Sequence, residues 1–334
     1  MAKQKNQHYV PQIYLRNFSL DGSTIGVYVK EKGIWIDRAP IKNQSCADYF
    51  YGKDLFLENR FSSLEGKTAE LFNRFNQGDF NLNIDDKETL YFYVMLQYGR
   101  TEMVAKQLQD LSKNVQTRIE STFTNHSCPK ISAGETLLNS VKLSLELASR
   151  YYDTILDLDY KIISNCTSKD FITSDNPICL YNQFCEKISK PSFAFGSIGT
   201  QIFFTLNPRL MLAIYDASCY RMGKQKERII KINNIRDLYA LNDIVYINAN
   251  KVIYFQDKGK VCVRPKEINH NYVTPQIVSH IQNPNNYSVI YLSNRPPLCN
   301  AQLSFVKLFS RYNSVPEYDY SMGGLLRSTC ALNK

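Results

Sequence analysis

The sequence contains no apolar run long enough to cross a bilayer, and no Cys-x-x-Cys pair of the kind that marks a structural zinc site. Its nine cysteines are scattered and odd in number, which argues against a disulfide framework. We therefore expect no membrane partner, reduced thiols and a cytoplasmic location.

Motifs of several common enzyme classes are also absent. The sequence has neither Gly-x-Gly-x-x-Gly nor a Walker-type loop, the phosphate cradles of dinucleotide and triphosphate sites. It lacks the Gly-x-Ser-x-Gly elbow of serine hydrolases and the His-Glu-x-x-His of zincins. No cysteine has a recognisable catalytic setting. A function must therefore be sought in less regular groups of polar residues.

Aromatic residues and positive charge are in excess. There are 23 tyrosines and 18 phenylalanines but a single tryptophan, and tyrosine suits half-buried and ligand-facing positions. The net charge of +9 permits attraction to nucleic acid, nucleotides or phosphate. The basic residues are dispersed, however, with the densest run at 221–231. Charge alone therefore favours a solvated surface over a nucleic-acid footprint.

The order of elements predicts an α+β fold. Residues 24–37 alternate around Gly33 as a hairpin, and the pattern then becomes helical. We expect a helical layer at about 55–157, packed against mixed or antiparallel sheet elements of a strand-rich part at about 158–310, in a single domain over 1–334. The predicted helices are 55–76, about 85–122, 134–156 and 233–249, and the predicted strands are 160–163, 170–173, 201–205, 210–215, 252–255, 261–264, 287–292 and 303–309.

Residues 8–18 stand out for their content of rings, which includes His8 and Tyr14 together with Arg16. Such a segment is costly to leave in water, so we expect it to dock on the body of the protein. The other three histidines are less informative: His126 and His270 lie in loop-like sequence, and His280 lies on a possible apolar helix face. His8 is therefore the candidate acid–base residue.

Polar residues interrupt the apolar faces of two predicted helices. Gln97 and Thr101 fall on the core-facing stripe of the long helix, with Arg100 at its edge. Glu65 lies among apolar positions of the preceding helix. Buried polar groups need partners, so these side chains indicate either a lined cavity or a Glu65–Arg100 ion pair that ties two helices together.

A third feature is the segment 171–177, where strand-like residues run into Thr-Ser-Asp-Asn-Pro. Asp175 is expected where a strand ends, followed by Asn176. Strand ends that present a carboxylate are frequent places for chemistry, but Asp-Asn-Pro is equally good turn chemistry.

These segments resemble the bacterial family known as domain of unknown function 4238. The resemblance begins with the His-x-x-Pro pattern of residues 8–11 and continues at 14–18, 48–51, 65, 97–101, 171–177 and 206–208. It implies that His8, Glu65, Gln97, Arg100 and Asp175 lie in the family's signature segments. It also implies a role in bacterial conflict with phages or mobile elements.

Three interpretations follow. In the first, the chain is a nuclease-like phosphodiester hydrolase in which His8 is the general acid or base, and Gln97 and Arg100 orient and neutralise the phosphate. Glu65 and Asp175 would add catalytic carboxylates and hold Mg²⁺ or Mn²⁺. The substrate, nucleic acid or nucleotide, would contact four further residues: Tyr14, Arg16, Thr101 and Asn176.

In the second interpretation the same residues form a non-catalytic module that senses a nucleotide or another anion. In the third they only tie the architecture together, with Glu65 paired to Arg100 and Asp175 capping a turn. The distances among these side chains distinguish the three.

Overall fold

The computed structural model of the protein describes residues 5–53, 56–122, 133–187, 194–263, 276–281, 288–293, 299–310 and 326–330. Its first part consists of short strands and one helical turn. β2 and β3 form the predicted hairpin, with Gly33 in the turn at φ +64°, where glycine is unstrained. These first elements are β1 (Asn6–His8), α1 (Gln12–Leu15), β2 (Thr24–Val29), β3 (Ile34–Pro40) and β4 (Cys46–Asp48).

The helical layer follows, near its predicted position. Its helices are α2 (Phe56–Asn76), α3 (Ile84–Gly99), α4 (Glu102–Thr122) and α5 (Ala133–Arg150), the last followed by a 3-10 turn, Tyr152–Ile155. A capping box starts α3: the Asn83 side chain accepts the Asp86 N–H, and the Asp86 side chain accepts the Asn83 N–H. Within the described ranges, no helix has the length and hydropathy of a membrane span.

Residues 85–122 are not the single long helix that their periodicity predicted. Arg100 is the C-cap of α3, and Thr101 stands directly before α4, where its hydroxyl accepts a long hydrogen bond from the Val104 N–H at 3.5 Å. Ala105 of α4 belongs to the same hydrophobic core as α3. The prediction was wrong because apolar spacing continues across a break when both helices pack on one core.

The strands form two main sheets, one of which includes β2 and β3 from the first part of the chain. A five-stranded sheet has the order β11-β5-β9-β8-β7, in which β11 and β5 are parallel and the other neighbours antiparallel. A four-stranded antiparallel sheet has the order β3-β2-β12-β6. The remaining elements are β5 (Asp159–Asn165), β6 (Thr173–Ser174), β7 (Ile178–Tyr181), β8 (Gln201–Asn207), β9 (Leu210–Tyr215), β10 (Tyr220–Met222), β11 (Ile229–Ile232), α6 (Ile235–Asn248), β12 (Val252–Phe255), β13 (Gln276–Ile281), β14 (Ser288–Ser293) and β15 (Val306–Leu308).

The five-stranded sheet lies between two hydrophobic cores. Alternate residues of β8 face them: Phe204 packs with the helical layer, its ring 5.8 Å from Phe72 of α2 and 6.1 Å from Tyr93 of α3. Phe203 belongs to the second core, with Leu241 of α6. The predicted α+β class and the packing of a helical layer on mixed and antiparallel sheets are confirmed. The single domain over 1–334 stays a prediction.

Several boundaries differ from those predicted. β12 pairs with β2 and β6, and the described residues 261–263 lie outside any strand, so they do not form the expected hairpin with β12. The strand expected at 170–173 is the two-residue β6. His280 lies in a strand, β13, rather than on a helix face. The loop histidines His126 and His270 lie outside the described residues.

Candidate functional site

The N-terminal segment is docked on the body of the protein, as its ring content predicted. Val10 and Leu15 are fully buried. β1 pairs with β4 in an antiparallel register, and the buried Gln7 side chain joins it to the following loop. Its Nε2 donates to the Gly52 carbonyl at 3.0 Å, and its Oε1 accepts the Tyr51 N–H at 2.7 Å. These contacts hold His8 at a defined place.

Arg100 binds the main chain of this segment and one carboxylate. Its Nη1 lies 2.7 Å from Glu65 Oε1, its Nη2 donates to the His8 carbonyl at 3.1 Å, and its Nε donates to the Tyr9 carbonyl at 3.2 Å. Gln97 Nε2 donates to the same Tyr9 carbonyl at 3.1 Å. We call Glu65, Gln97, Arg100 and these two carbonyls the Arg100 cluster. The structure thus unites four predicted residues, but it does so through the main chain of His8.

The Arg100 cluster is an interior feature. The Arg100 side chain is 4% exposed, against 21% for Glu65, and its guanidinium lies 4.6 Å from the centre of the Phe61 ring. Burial alone would lower the pKa of Arg100, but Tyr51 and Glu65 raise it above its ordinary value. Arg100 therefore stays charged and does not reach a substrate in solution. Sequence reasoning had offered this ion pair as an architectural tie, and the geometry matches that alternative.

The His8 imidazole, in contrast, is half-exposed. Its Nε2 lies 3.2 Å from the Lys42 carbonyl oxygen. Because a carbonyl oxygen only accepts, the neutral ring carries its proton on Nε2 and keeps a lone pair on Nδ1. Burial lowers the pKa of His8, and the charge of Arg100 lowers it further, against the raising effect of the Lys42 carbonyl and Glu65. At neutral pH the ring is an oriented, uncharged base.

The carbonyl that orients this imidazole has a second polar partner. Asn6 Nδ2 donates to the same Lys42 carbonyl at 3.2 Å, and the Lys42 side chain is exposed. α1 packs on the 3-10 turn Ile41–Asn43, and Arg16, which follows α1, is also exposed. We call Asn6, His8 and Lys42 the His8 surface. It combines the imidazole with the lysine residue whose carbonyl orients it and whose side chain is exposed.

Glu58 is a residue that sequence reasoning missed. It lies on α2 seven residues before Glu65, so the two carboxylates share one helix face. Glu58 Oε2 is buried and has no hydrogen-bond partner among the described residues. Burial raises the pKa of Glu58, and Glu65 raises it further. The seven-residue spacing of Glu58 and Glu65 is visible in the sequence. It indicates a buried pair of carboxylates only if this face of α2 points into the protein, which the sequence does not show.

Asp175 lies directly after β6, as predicted, but its partners belong to another part of the fold. Oδ1 accepts the Asn250 N–H at 2.9 Å and Oδ2 accepts the Lys251 N–H at 2.8 Å. The residue is 2% exposed. Burial raises the pKa of Asp175 to about 6, against the lowering effect of these two hydrogen bonds. Asp175 therefore joins β6 to the start of β12.

The predicted metal site is not assembled by these two carboxylates. Glu65 is bound to Arg100, and Asp175 to main-chain N–H groups. In the described part of the chain, no three His, Cys, Asp or Glu side chains form a group that could hold a metal ion. The geometry therefore places neither Mg²⁺ nor Mn²⁺ at Glu65 and Asp175.

Three of the four predicted substrate contacts are buried with protein partners. Tyr14 OH lies 2.6 Å from Thr173 Oγ1 and 2.6 Å from the Thr205 carbonyl oxygen. Thr101 and Asn176 are fully buried, the first next to the α3–α4 break and the second bonded to the main chain of α6. This placement corrects their expected role, because buried side chains with internal partners stabilise the fold. Arg16 alone of the four is exposed.

Comparison with protein families identifies a family whose model covers most of the chain. The model of the family described as "Protein of unknown function (DUF4238)" matches residues 6–259, a range that contains the His8 surface, the Arg100 cluster and Asp175. No curated protein and no solved structure matches the chain.

Proposed function

Since the chain belongs to the DUF4238 family, whose description names no activity, we propose its function from geometry: a nuclease-like phosphodiester hydrolase with His8 as the acid–base residue. One observation carries the proposal. The His8 imidazole is half-exposed, the Lys42 carbonyl orients it, and burial lowers its pKa below the ordinary histidine value, which favours the neutral form. A general base needs these three properties near neutral pH.

In the proposed reaction, His8 Nδ1 takes the proton of an attacking water as its oxygen bonds to phosphorus. The bond from phosphorus to the leaving oxygen breaks, and the imidazolium returns the proton to that oxygen. Water and a diester thus give a monoester and an alcohol. The exposed Lys42 and Arg16 side chains would supply positive charge that attracts the polyanion.

Within this proposal, Arg100, Gln97 and Glu65 are positioning residues. Arg100 and Gln97 hold the carbonyls of His8 and Tyr9, and therefore the start of the segment that carries the imidazole. Because Arg100 is 4% exposed, charge neutralisation at the phosphate falls to surface cations instead.

The first prediction concerns His8→Gln in the full chain. We expect hydrolysis of single-stranded RNA or DNA to fall by roughly 10²- to 10⁴-fold, the usual contribution of a general base. Arg16→Gln should raise KM with little change in kcat, and Arg150→Gln, also exposed, serves as the charge-matched control. Intact RNA and DNA after incubation with the wild-type chain, with and without Mg²⁺ or Mn²⁺, would refute the proposal.

A second candidate is the non-catalytic nucleotide or anion sensor. One observation favours it: Arg100 and Gln97 bind main-chain carbonyls of the N-terminal segment, and Glu65 is paired with Arg100. None of the three therefore acts with His8 as a second catalytic acid or base. A nucleotide that raises the melting temperature and is recovered unchanged would identify a sensor. Loss of phage resistance in cells that carry His8→Gln would then test the implied role in bacterial conflict.

A further inference from the structure

The two-stranded ribbon of β10 and β15 carries two cations side by side. The strands are antiparallel, and Arg221 lies directly opposite Lys307. Their strand neighbours Tyr220, Met222 and Val306 are buried in the second core. Arg221 and Lys307 are exposed, and because side chains alternate along a strand, both cations lie on the outer face of the ribbon. The fold thus adds a distant cation to the start of the most basic run of the sequence.

This pair of cations lacks a compensating charge among the described residues. Directly opposed like charges destabilise a pair of strands. The carboxylates close to the ribbon along the chain have other partners. Glu227 pairs with Lys224 at 2.8 Å. Asp216 and Asp237 are buried, and their carboxylates accept hydrogen bonds from N–H and hydroxyl groups. A bound anion would therefore relieve the repulsion between the two cations.

An aromatic side chain continues the outer face of β15. Phe309 follows Lys307 by two residues, and its N–H donates to the Cys219 carbonyl at 3.0 Å, so the pairing of the strands extends beyond Leu308. Alternation places the Phe309 ring on the same face as Lys307. Phe309 is 39% exposed, whereas Phe305, on the other side of Lys307, is half-buried and packs against the second core. The outer face thus combines two cations with an exposed ring.

This combination matches the chemistry of a single-stranded nucleic acid. Lysine and arginine bind phosphate, and the arginine fork can donate two parallel hydrogen bonds to it. An unpaired base stacks on an aromatic ring, which a base inside a duplex cannot do without leaving its own stack. A small inorganic anion would use the cations alone, and an apolar ligand would use the ring alone.

We propose that the outer face of the β10–β15 ribbon, defined by Arg221, Lys307 and Phe309, binds single-stranded nucleic acid. Phosphates lie against the two cations, and a base stacks on the Phe309 ring. None of the three residues belongs to the His8 surface, so this binding does not depend on hydrolysis at His8.

The experiment measures the fluorescence anisotropy of labelled oligo(dT) or oligo(U), each of about 15 nucleotides, titrated with the full chain. Arg221→Gln and Lys307→Gln should each weaken binding by roughly three- to tenfold and lower the slope of log Kd against log salt concentration by about 0.7. Phe309→Ala should weaken binding by roughly tenfold and leave that slope unchanged. Tighter binding of one oligonucleotide identifies the ligand as DNA or RNA.

Two control variants match these substitutions at another place on the surface. Arg150 is exposed, and Tyr151 is 40% exposed, close to the exposure of Phe309. Arg150→Gln and Tyr151→Ala should bind as the wild type does. Without nucleic acid, Arg221→Gln and Lys307→Gln should keep or raise the melting temperature, because each removes one of two opposed like charges. A lower melting temperature for both would instead assign the cations a structural role.

Three further results would overturn the proposal. The first is a wild-type chain that leaves the anisotropy of both oligonucleotides unchanged at low salt. The second is equal affinity for a duplex of the same length, since no unpaired base would then be needed. The third is wild-type affinity in Arg221→Gln, Lys307→Gln and Phe309→Ala. His8→Gln should retain binding, so failure of hydrolysis is distinguishable from failure of this surface.

Discussion

At the residue scale, Arg100 connects three separate parts of the chain. It holds two carbonyls of the N-terminal segment and the carboxylate of α2 from the end of α3. A buried charge with several partners is costly to disturb, because its removal breaks an ion pair and several hydrogen bonds at once. The Arg100 cluster therefore has a structural role whether or not the His8 surface is catalytic.

We expect Arg100→Ala to lower the free energy of unfolding by about 3 to 5 kcal/mol, since Glu65 loses its buried ion-pair partner and the His8 and Tyr9 carbonyls each lose one of their donors. Chemical denaturation measures the loss. Arg228→Ala is the matched control: Arg228 also pairs with a carboxylate, Asp159, but its side chain is 39% exposed, so the loss should be no more than about 1 kcal/mol. Equal losses for the two variants would contradict the assignment of Arg100 as a buried tie.

The pH dependence of hydrolysis should report the lowered pKa of His8. The base acts in its neutral form, so the rate should fall as the pH drops through a midpoint below the ordinary histidine value of 6.5. The same group affects stability. As the pH drops, the His8 side chain of the unfolded chain takes up a proton at a higher pH than that of the folded chain, so the free energy of unfolding decreases as the pH decreases through this window. A rate profile with its acid midpoint above 6.5 would contradict the assigned environment.

At the element scale, the break between α3 and α4 turns the end of α3 against α5. Gly99 makes this approach possible: a Cβ added there would lie 2.9 Å from both Ala148 Cβ and the Ser144 carbonyl oxygen. A main-chain atom of α5 cannot give way as a flexible side chain can. The contact also supports Arg100, which is the next residue.

Gly99→Ala should therefore destabilise the protein by about 1 to 3 kcal/mol, the usual cost of overpacking. Gly66→Ala is the matched control, because Gly66 is also helical but a Cβ there meets nothing within 4 Å. Alanine has the higher helix propensity, so that variant should gain up to about 1 kcal/mol. Thermal unfolding measures the melting temperatures of the two variants. A change in the same direction for both variants would contradict the prediction.

At the scale of the whole molecule, a short C-terminal segment is fixed to the middle of the chain. The Arg327 side chain is 1% exposed, and its Nε and Nη2 each lie 2.8 Å from the Asp157 carboxylate. It also donates to the carbonyls of Thr154 and Phe195. Arg327 lies beyond the family match, which ends at residue 259, yet it contributes to the interior of the matched part.

Arg327→Ala should lower the free energy of unfolding by about 3 to 5 kcal/mol, because it breaks the buried ion pair with Asp157 and removes the guanidinium donor from the Thr154 and Phe195 carbonyls. If the chain is one domain, the variant should unfold in a single transition that is shifted as a whole. Calorimetry together with circular dichroism checks this. A separate low-temperature transition would show that the C-terminal segment unfolds on its own.

Much of the architecture follows from local pattern. The hairpin around Gly33, the start of α3, the docking of the N-terminal segment and the position of Asp175 after a strand were all predictable, because each depends on spacing or on the chemistry of neighbouring residues. The helix break at Arg100 was not, since apolar spacing is the same in one helix and in two that share a core.

Local sequence was enough to single out the unusual polar residues: a histidine in an aromatic segment, and a glutamine, an arginine and a glutamate on apolar faces. Their partners became known from the packing of the folded chain. Arg100 bonds to residues 35, 91 and 92 positions away, whereas Asp175 bonds to main-chain groups 75 and 76 positions away. Such pairings depend on how elements pack, and local spacing carries no information about distant neighbours.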